Sequence, residues 1–366
     1  MKVRDVCAAI ETLAPLKLAC EWDRVGLSIG DPNADVRRVL VVLTVTRGAL
    51  RAAAKAHANL IVAHHPLMRQ PLENLRTDNP VTRLCVDIAG AGIACYVAHT
   101  NLDVAPGGMN DLLAARLGLR QPRPLIAAPQ NRQVKLVTFV PESHLPAVRR
   151  AVCDAGAGVI GDYTYCTFSA PGVGTFLPGD KAQPFSGARH LVNEEPELRF
   201  ETIVPQARLD RVVGALKSAH PYEEVAYDIV ELQNRDAAIS LGVQGELPSP
   251  MSLNEFARRV RDALKVSHVR VVGAAKKRVC HVAVLGGGGG GEVEHLPRDT
   301  DVYVTGDVRY HDALAAAERG LAVVDPGHAG MEKWIVPFLA GYLKRTCKPI
   351  KVITYREPEL FRFVAE

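Results

Sequence analysis

The chain has 366 residues, of which 48% are hydrophobic and 23% charged, and its formal net charge is +4. This composition is typical of a soluble globular protein with roughly two or three domains. The small charge and the lack of basic blocks interleaved with aromatic residues argue against nucleic acid as a partner. The eight cysteines form no CxxC pair, and no apolar run is long enough to span a membrane. We therefore predict a cytoplasmic protein in a reducing compartment, without a membrane partner.

The first 128 residues alternate short apolar runs with helical patterns. Strands are predicted for residues 39–45, 59–63 and 93–98, and helices for residues 48–57, 80–91 and 108–117. Strands that alternate with helices are typical of βαβ units, so this segment predicts a parallel or mixed sheet with flanking helices.

A stretch rich in proline, glutamine, alanine and arginine, residues 120–132, predicts a domain boundary. The segment that follows contains an internal repeat, because Val140-Pro141 and Val204-Pro205 are offset by 64 residues (204 minus 140). In each half a strand runs into a proline at a helix start, where its missing N–H costs nothing. Further strands are predicted for residues 163–169 and 225–232. Two βαβ halves predict an inserted ferredoxin-like α+β domain over residues 129–235.

After residue 235 the α/β pattern resumes. Strands are predicted for residues 279–285, 302–305 and 321–324, and helices for residues 252–264, 312–318 and 331–343. Ser252 and Glu255 have the spacing of a capping box at the start of the first of these helices. The simplest architecture is an α/β fold in two pieces, residues 1–128 and 236–366, that form one core with mixed sheets and flanking helices around the insert.

Residue types that bind metals appear directly after three of the predicted strands. In open α/β sheets, ligands bind at the carboxyl ends of the strands, so the three strand ends are expected to meet. Imidazole and carboxylate groups suit zinc, iron, manganese or nickel. Five ligands with two carboxylates are too many for one closed tetrahedral site, and they suit two divalent metal ions that share a carboxylate. The predicted ligands are His64, His65, Asp103, His328 and Glu332.

The spacing within each pair of ligands sets a geometric condition. His328 and Glu332 are four residues apart at a predicted helix start and therefore lie on one face of that helix. His64 and His65 are neighbours, whose side chains would point to opposite faces in an extended strand. Both can face one site only if the strand has ended, and Pro66 indicates that it has.

A run of six glycines, Gly286–Gly291, offers a rival interpretation, since it formally matches the GxGxxG pattern after a strand. A dinucleotide-binding fingerprint must open a helix, and residues 292–297 leave room for barely one turn. We interpret the run as a flexible loop over an active site, because glycine permits close approach of the backbone to a ligand.

Taken together, these motifs resemble the Nif-three-like family of dinuclear-metal hexameric proteins, whose members are commonly named GTP cyclohydrolase I type 2 homologues. The resemblance extends into the insert, which is similar to the long form of the family. The motifs that carry it are Glu21–Leu27, His64-His65-Pro66, His99–Asp103, Gly107-Gly108, Gly161–Tyr163, Gly172–Gly174, Pro184-Phe185, His220–Glu224, Thr305–Asp307, His311, Gly327-His328 and Glu332. The chain departs from the common pattern at Gly289, where serine is frequent, and at Tyr310, where a second histidine is frequent.

The resemblance implies that the five predicted ligands bind two metals, that the chain forms a homohexamer, and that the insert is similar to PII or CutA signal-protein domains. The implied activity is that of a hydrolase, in which metal-activated hydroxide opens the purine ring of a small anionic substrate, GTP, and releases formate. His99, Asp307 and His311 are the candidates for proton transfer or for support of the ligands. The alternative is a non-catalytic metal-binding or regulatory scaffold protein.

Overall fold

The fold was analysed in a computed structural model, which describes residues 1–128, 132–234 and 239–361. The chain divides into two compact units, one formed by residues 1–126 and 237–366 and the other by residues 127–236. We call the first the core unit and the second the insert. The junctions predicted at residues 129 and 235 lie outside the described residues.

Helices and strands alternate along most of the chain. The helices are α1 Val3–Leu13, α2 Arg47–Lys55, α3 Pro80–Gly90, α4 Thr100–Val104, α5 Met109–Leu117, α6 Leu145–Asp154, α7 Leu209–Ala219, α8 Leu253–Leu264, α9 Tyr310–Glu318, α10 His328–Glu332 and α11 Ile335–Thr346. The strands are β1 Gly26–Ile29, β2 Arg38–Thr44, β3 Leu60–His65, β4 Ala94–Val97, β5 Arg120–Ala127, β6 Gln133–Val140, β7 Thr167–Phe176, β8 Asn193–Pro205, β9 Tyr227–Leu232, β10 Ser240–Ser252, β11 Arg270–Val272, β12 Arg278–Val284, β13 Val302–Val304, β14 Ala322–Asp325 and β15 Lys351–Thr354. None of the helices in the described ranges is long and apolar enough to cross a membrane.

The first sheet of the core unit has five strands in the order β1-β4-β3-β2-β15. Strands β4, β3, β2 and β15 are parallel to one another, and β1 is antiparallel to β4. Because β15 lies near the end of the described chain, both sequence pieces contribute to this sheet. The central strand β3 is buried on both faces up to its last residue, which explains its continuous apolar sequence.

The second sheet has six strands in the order β11-β14-β13-β12-β10-β5, with β12, β13 and β14 parallel. The segment predicted as a boundary, residues 120–132, contains β5, which ends at Ala127, where the chain passes from one unit to the other. Pro122 and Pro124 are tolerated there because β5 is an edge strand, where a missing N–H does not interrupt the sheet. The α/β fold predicted from the sequence is confirmed, and mixed sheets with flanking helices form the core unit.

The insert contains one four-stranded antiparallel sheet with the order β7-β8-β6-β9 and two helices, α6 and α7. Its elements follow one another as βαβ twice. A separate buried cluster that includes Val134, Leu136, Phe200 and Leu216 packs within the insert. The ferredoxin-like and PII/CutA-like assignments stay predictions.

Two predicted elements differ from the structure at positions that matter for the site, whereas a third, the capping box of α8, is present as predicted. Strand β3 continues through His64 and His65 instead of ending before them. The helix predicted for residues 331–343 is divided into the short α10 and the longer α11. The capping box of α8 is present, with Ser252 Oγ accepting from the Glu255 N–H.

Candidate metal centre

The five predicted ligands meet where strand ends of the two core sheets face each other. His64 and His65 end β3 of the first sheet, and Asp103 lies on α4, just after β4. His328 and Glu332 lie on α10, directly after β14 of the second sheet. The carboxyl ends of parallel strands are the usual place for a ligand site, and here two sheets contribute to one such site.

Glu332 stands at the centre of this cluster and is buried. One of its oxygens, Oε1, lies 3.7 Å from His64 Nε2. The other, Oε2, lies 2.8 Å from His65 Nε2 and 2.9 Å from His328 Nε2. The two adjacent histidines therefore reach different oxygens of the same carboxylate, and their rings are 5.2 Å apart. Both rings can turn toward this point because β3 ends at His65, beyond which no further strand residues flank them.

Two polar atoms of the cluster have no hydrogen-bond partner although they are buried. These are His64 Nε2 and Asp103 Oδ1, and they lie 3.7 Å apart. His64 Nδ1 donates to the carbonyl oxygen of Ala98 at 2.7 Å, so the lone pair of the neutral ring is on Nε2. Buried polar atoms without a partner are costly and rare. An imidazole nitrogen and a carboxylate oxygen that point into the same space are suitable ligands for a divalent cation.

The three histidine ligands and the neighbouring His99 are each held through Nδ1 by an oxygen that does not belong to the five predicted ligands. This arrangement fixes the ring orientation and directs Nε2 away from the supporting oxygen, as is usual for metal-binding histidines. The pairs are His64 with Ala98 O at 2.7 Å, His65 with Thr44 Oγ1 at 2.7 Å, His99 with Asp23 Oδ2 at 3.0 Å, and His328 with Asp307 Oδ2 at 2.7 Å.

The carboxylates and imidazoles shift each other's ionisation. Burial by itself lowers the pKa of His64, but the charges of Asp103 and Glu332 raise it to about 9. Hydrogen bonding to Glu332 raises the pKa of His328 to about 9. Burial raises the pKa of Asp103 to about 6, although the charge of His64 acts against it. Burial opposes ionisation of Glu332 as well, yet hydrogen bonds from His328 and His65 and the charge of His64 hold its pKa well below the usual range. The cluster thus concentrates negative charge on Glu332.

Two overlapping groups of side chains are close enough to share an ion. Within each group, the ligand atoms lie within 4.8 Å of one another. The groups are His64, His65 and His99, and His65, His328 and Glu332. Residues of the core unit therefore could hold metal ions at this place.

The three candidates for proton transfer or support have different positions. His99 joins the cluster, with its ring 5.1 Å from that of His64. Asp307 supports His328. His311 is exposed on α9, and among the described ring contacts it makes one, with Tyr310. Its role stays a prediction.

Sequence reasoning did not single out Asp23 as a site residue, although it lies inside one of the quoted motifs. Its carboxylate accepts hydrogen bonds from His99 Nδ1 and from the Thr100 hydroxyl at 2.6 Å. Burial would raise the pKa of Asp23, but these hydrogen bonds lower it to about 2. Its position just after the exposed Trp22 gave no separate signal. The Ala98 carbonyl gave none at all, because a backbone oxygen leaves no trace in the residue types.

The glycine run packs directly against the cluster. A Cβ atom on Gly287 would lie 2.6 Å from Glu332 Oε1, and one on Gly288 would lie 3.2 Å from Asp307 Oδ2. Gly287 also has a φ of +71°, which favours glycine. No dinucleotide-binding helix follows, since only a 3-10 segment, Gly290–His295, intervenes before the next strand. The glycines let the loop approach the cluster closely.

Comparisons with known proteins find relatives that share most of the length of this chain. The family described as Duf34/NIF3 (NGG1p interacting factor 3) matches residues 1–359. A protein of Halalkalibacterium halodurans named GTP cyclohydrolase 1 type 2 homolog is 43% identical over 89% of this chain and 88% of its own length. A Bacillus subtilis protein of the same name is 42% identical over 89% of this chain and 87% of its own length. The crystal structure of a Bacillus cereus protein related to NIF3 superimposes with a TM-score of 0.67 and 39% identity, covering 100% of this chain and 99% of the other.

Proposed function

Since the chain belongs to the Duf34/NIF3 (NGG1p interacting factor 3) family, we propose that its core unit binds two divalent metal ions and works as a hydrolase. One ion would be held by His64 and Asp103 and the other by His65 and His328, with Glu332 shared between them. Zinc, iron, manganese and nickel are the candidates, because they accept both imidazole and carboxylate.

The observation that carries the proposal is the pair of buried, unpartnered atoms, His64 Nε2 and Asp103 Oδ1. Without an ion, the two atoms face each other at 3.7 Å, beyond hydrogen-bonding distance, and a buried polar group left without a hydrogen bond typically costs about 1–3 kcal/mol. A cation between them would satisfy both at once. Glu332 supports the same proposal, because its two oxygens face two separate sets of ring nitrogens.

When bound, the ions supply Lewis acidity that lowers the pKa of a water molecule toward about 7. The residues of the chain supply the rest. The oxygens on Nδ1 of each histidine keep the rings oriented, and the bulk of β3 and β4 excludes solvent from one side. His99, whose Nδ1 is held by Asp23, offers its other ring nitrogen beside His64 and is therefore placed to hold or move a proton.

The proposed substrate is GTP, with hydrolytic opening of the imidazole ring of the purine and release of formate. Its support is the name shared by the relatives, GTP cyclohydrolase 1 type 2 homolog. Two bound dications exceed the charge of the two carboxylates, so the loaded site would attract an anionic substrate. A homohexamer, which the family resemblance implies, is part of the proposal.

The test combines metal analysis with an activity assay on the full-length protein. The protein is stripped with a chelator, reloaded separately with zinc, manganese, iron(II) or nickel, and assayed for formate released from GTP. We expect about two ions per chain, and we expect formate release only after reloading with at least one of the four metals. His328→Ala should lose one or both ions while its circular dichroism spectrum stays that of the wild type, since the core unit does not need the metal to fold.

Two results would contradict parts of the proposal in different ways. A reloaded protein with two ions and no formate release would favour the non-catalytic metal-binding or regulatory scaffold. A folded protein that retains no metal after reloading would contradict the metal centre itself.

A further inference from the structure

An exposed tryptophan stands beside the histidine cluster. Trp22 is 63% exposed, and its ring meets the His99 ring edge-on with the centroids 6.2 Å apart. His99 lies in turn 5.1 Å from the ring of His64. A large aromatic surface is therefore open to solvent within two ring contacts of the proposed metal centre.

The backbone on both sides of Trp22 is fixed to the start of α4. Cys20 donates its N–H to Thr100 Oγ1 at 2.9 Å. The buried Asp23 carboxylate accepts from the Thr100 N–H at 3.1 Å and from its hydroxyl at 2.6 Å. The Asp23 N–H donates to Cys20 O at 2.9 Å and closes a turn around Trp22. Because residues 20 and 23 are both anchored, the indole between them is held outside the core.

This anchoring fixes the backbone that carries the exposed indole, and the ring itself makes the edge-on contact with His99. A ligand that meets the indole does not have to order the loop first, so less of the interaction energy is lost on binding. Exposed aromatic side chains bind nucleobases by stacking, because every base presents a π-face. Asp23 holds both the loop that carries Trp22 and the imidazole of His99. The position of the indole is therefore linked to that of the cluster.

We infer that Trp22 is a stacking platform for the planar heteroaromatic ring of the substrate, which is therefore a nucleobase compound. The inference rests on the proposed function, because it gives a substrate class to the same site. It assigns to this side chain the recognition of the base, while the metal centre and its ligands deal with the group that reacts.

The chain allows a direct test by fluorescence, because it has two tryptophans. The second, Trp334, is covered by the Arg116 guanidinium at 3.1 Å from its ring centroid, so quenching by a stacked base reports on Trp22. Metal-loaded full-length protein is titrated with guanosine, which carries the base without phosphates, and with inorganic triphosphate. Affinities are measured in parallel by calorimetry for the wild type, Trp22→Ala, Trp22→Phe and Phe168→Ala.

We expect guanosine to quench the wild-type fluorescence and Trp22→Ala to bind guanosine about ten- to a hundredfold more weakly. Trp22→Phe keeps a π-face and should bind guanosine within about threefold of the wild type, but without the quenching. Phe168 is 65% exposed on the insert and serves as the matched control, so Phe168→Ala should bind as the wild type does. The affinity for triphosphate should be the same in all four proteins.

Unchanged guanosine affinity in Trp22→Ala would overturn the inference. So would dissociation of the assembly by this substitution, measured by light scattering, because a second copy of the chain would then be what covers the indole. Formate release from GTP separates the two proposals. Guanosine binding that depends on Trp22 without any formate release leaves the inference standing and removes the ring-opening activity. Formate release by a protein whose affinity for guanosine does not depend on Trp22 supports the ring-opening activity and overturns the inference.

Discussion

Two regions of this chain bring histidine together with carboxylate, and they use it differently. In the core unit, His64 donates from Nδ1 to the Ala98 carbonyl, and its buried Nε2 makes no hydrogen bond. In the insert, His220 is also buried, but both of its nitrogens have protein partners. Its Nε2–H donates to Phe139 O at 3.0 Å, and its Nδ1 accepts from the Tyr222 N–H at 3.2 Å. The first arrangement leaves a nitrogen for a ligand, whereas the second leaves none.

The carboxylates differ in the same sense. Glu332 faces three imidazoles, and one of them, that of His64, carries the buried nitrogen without a hydrogen bond. Glu197 accepts a hydrogen bond from the Tyr222 hydroxyl at 2.7 Å, and burial together with this carboxylate raises the pKa of Tyr222. Both histidine motifs belong to the family resemblance, so residue type alone does not separate them. The partner of the second ring nitrogen is what separates a candidate ligand from a structural histidine.

The sharpest way to break this comparison is to change one carboxylate in each region to an amide of the same size. Glu332→Gln should lose most of the bound metal, because the shared negative charge disappears while the volume stays. Glu197→Gln should keep the metal content of the wild type. Elemental analysis of both proteins measures the outcome, and equal metal loss in the two variants would mean that the site is not where we place it.

Removal of a supporting carboxylate should have a smaller effect on the metal. Asp307→Ala takes the hydrogen bond away from His328 Nδ1 and should weaken metal affinity by about 10- to 100-fold. The Asp307 side chain is 64% exposed, so the core should stay folded, with a modest loss of stability because alanine is strained at the φ of +55° found there. The control is Asp299→Ala, because the Asp299 side chain is similarly exposed, at 59%. Competition with a chromogenic chelator measures the metal affinities of both variants. An Asp307→Ala protein with wild-type affinity would show that this hydrogen bond does not tune the site.

The satisfied histidine of the insert should affect stability and leave metal binding alone. His220→Ala leaves the Phe139 carbonyl without its donor, which should lower the free energy of unfolding of the insert by about 1–3 kcal/mol. Urea denaturation followed by circular dichroism measures this, and metal content measured on the same samples should stay constant. Loss of metal from folded His220→Ala protein would contradict the contrast between the two regions.

No loss of metal is expected even when the insert is removed altogether. The five proposed ligands all belong to the core unit, and the insert packs around its own buried cluster. A protein in which a short Gly/Ser linker joins Ala128 to Ile239 should therefore still bind about two ions per chain. A folded deletion protein without metal would show that the insert shapes the site directly.

Much of the candidate site was accessible from the sequence because strand ends are marked by local patterns. The apolar runs before His64 and His99 predicted strands that the structure contains, and the spacing of His328 and Glu332 predicted one helical face. The prediction that the strand must end before His64 was wrong, since β3 runs through His65. Neighbouring side chains point to opposite faces inside a sheet, but this rule does not hold at the last residue of a strand. Proline-rich β5 was missed for a similar reason, because its prolines are compatible only with an edge position that the sequence does not reveal.

The sequence by itself determined the residue types, the alternation of strands and helices, and the order of the motifs along the chain, because these depend on local periodicity and on spacing. Only the tertiary structure decided that the strand ends belong to two different sheets that face each other across Glu332. It also decided that His64 Nε2 is left without a partner whereas both nitrogens of His220 are bonded. Those outcomes depend on backbone carbonyls such as that of Ala98 and on residues more than two hundred positions apart in the chain, such as His65 and Glu332. Their distances are set by packing of the whole core, and no local pattern encodes them.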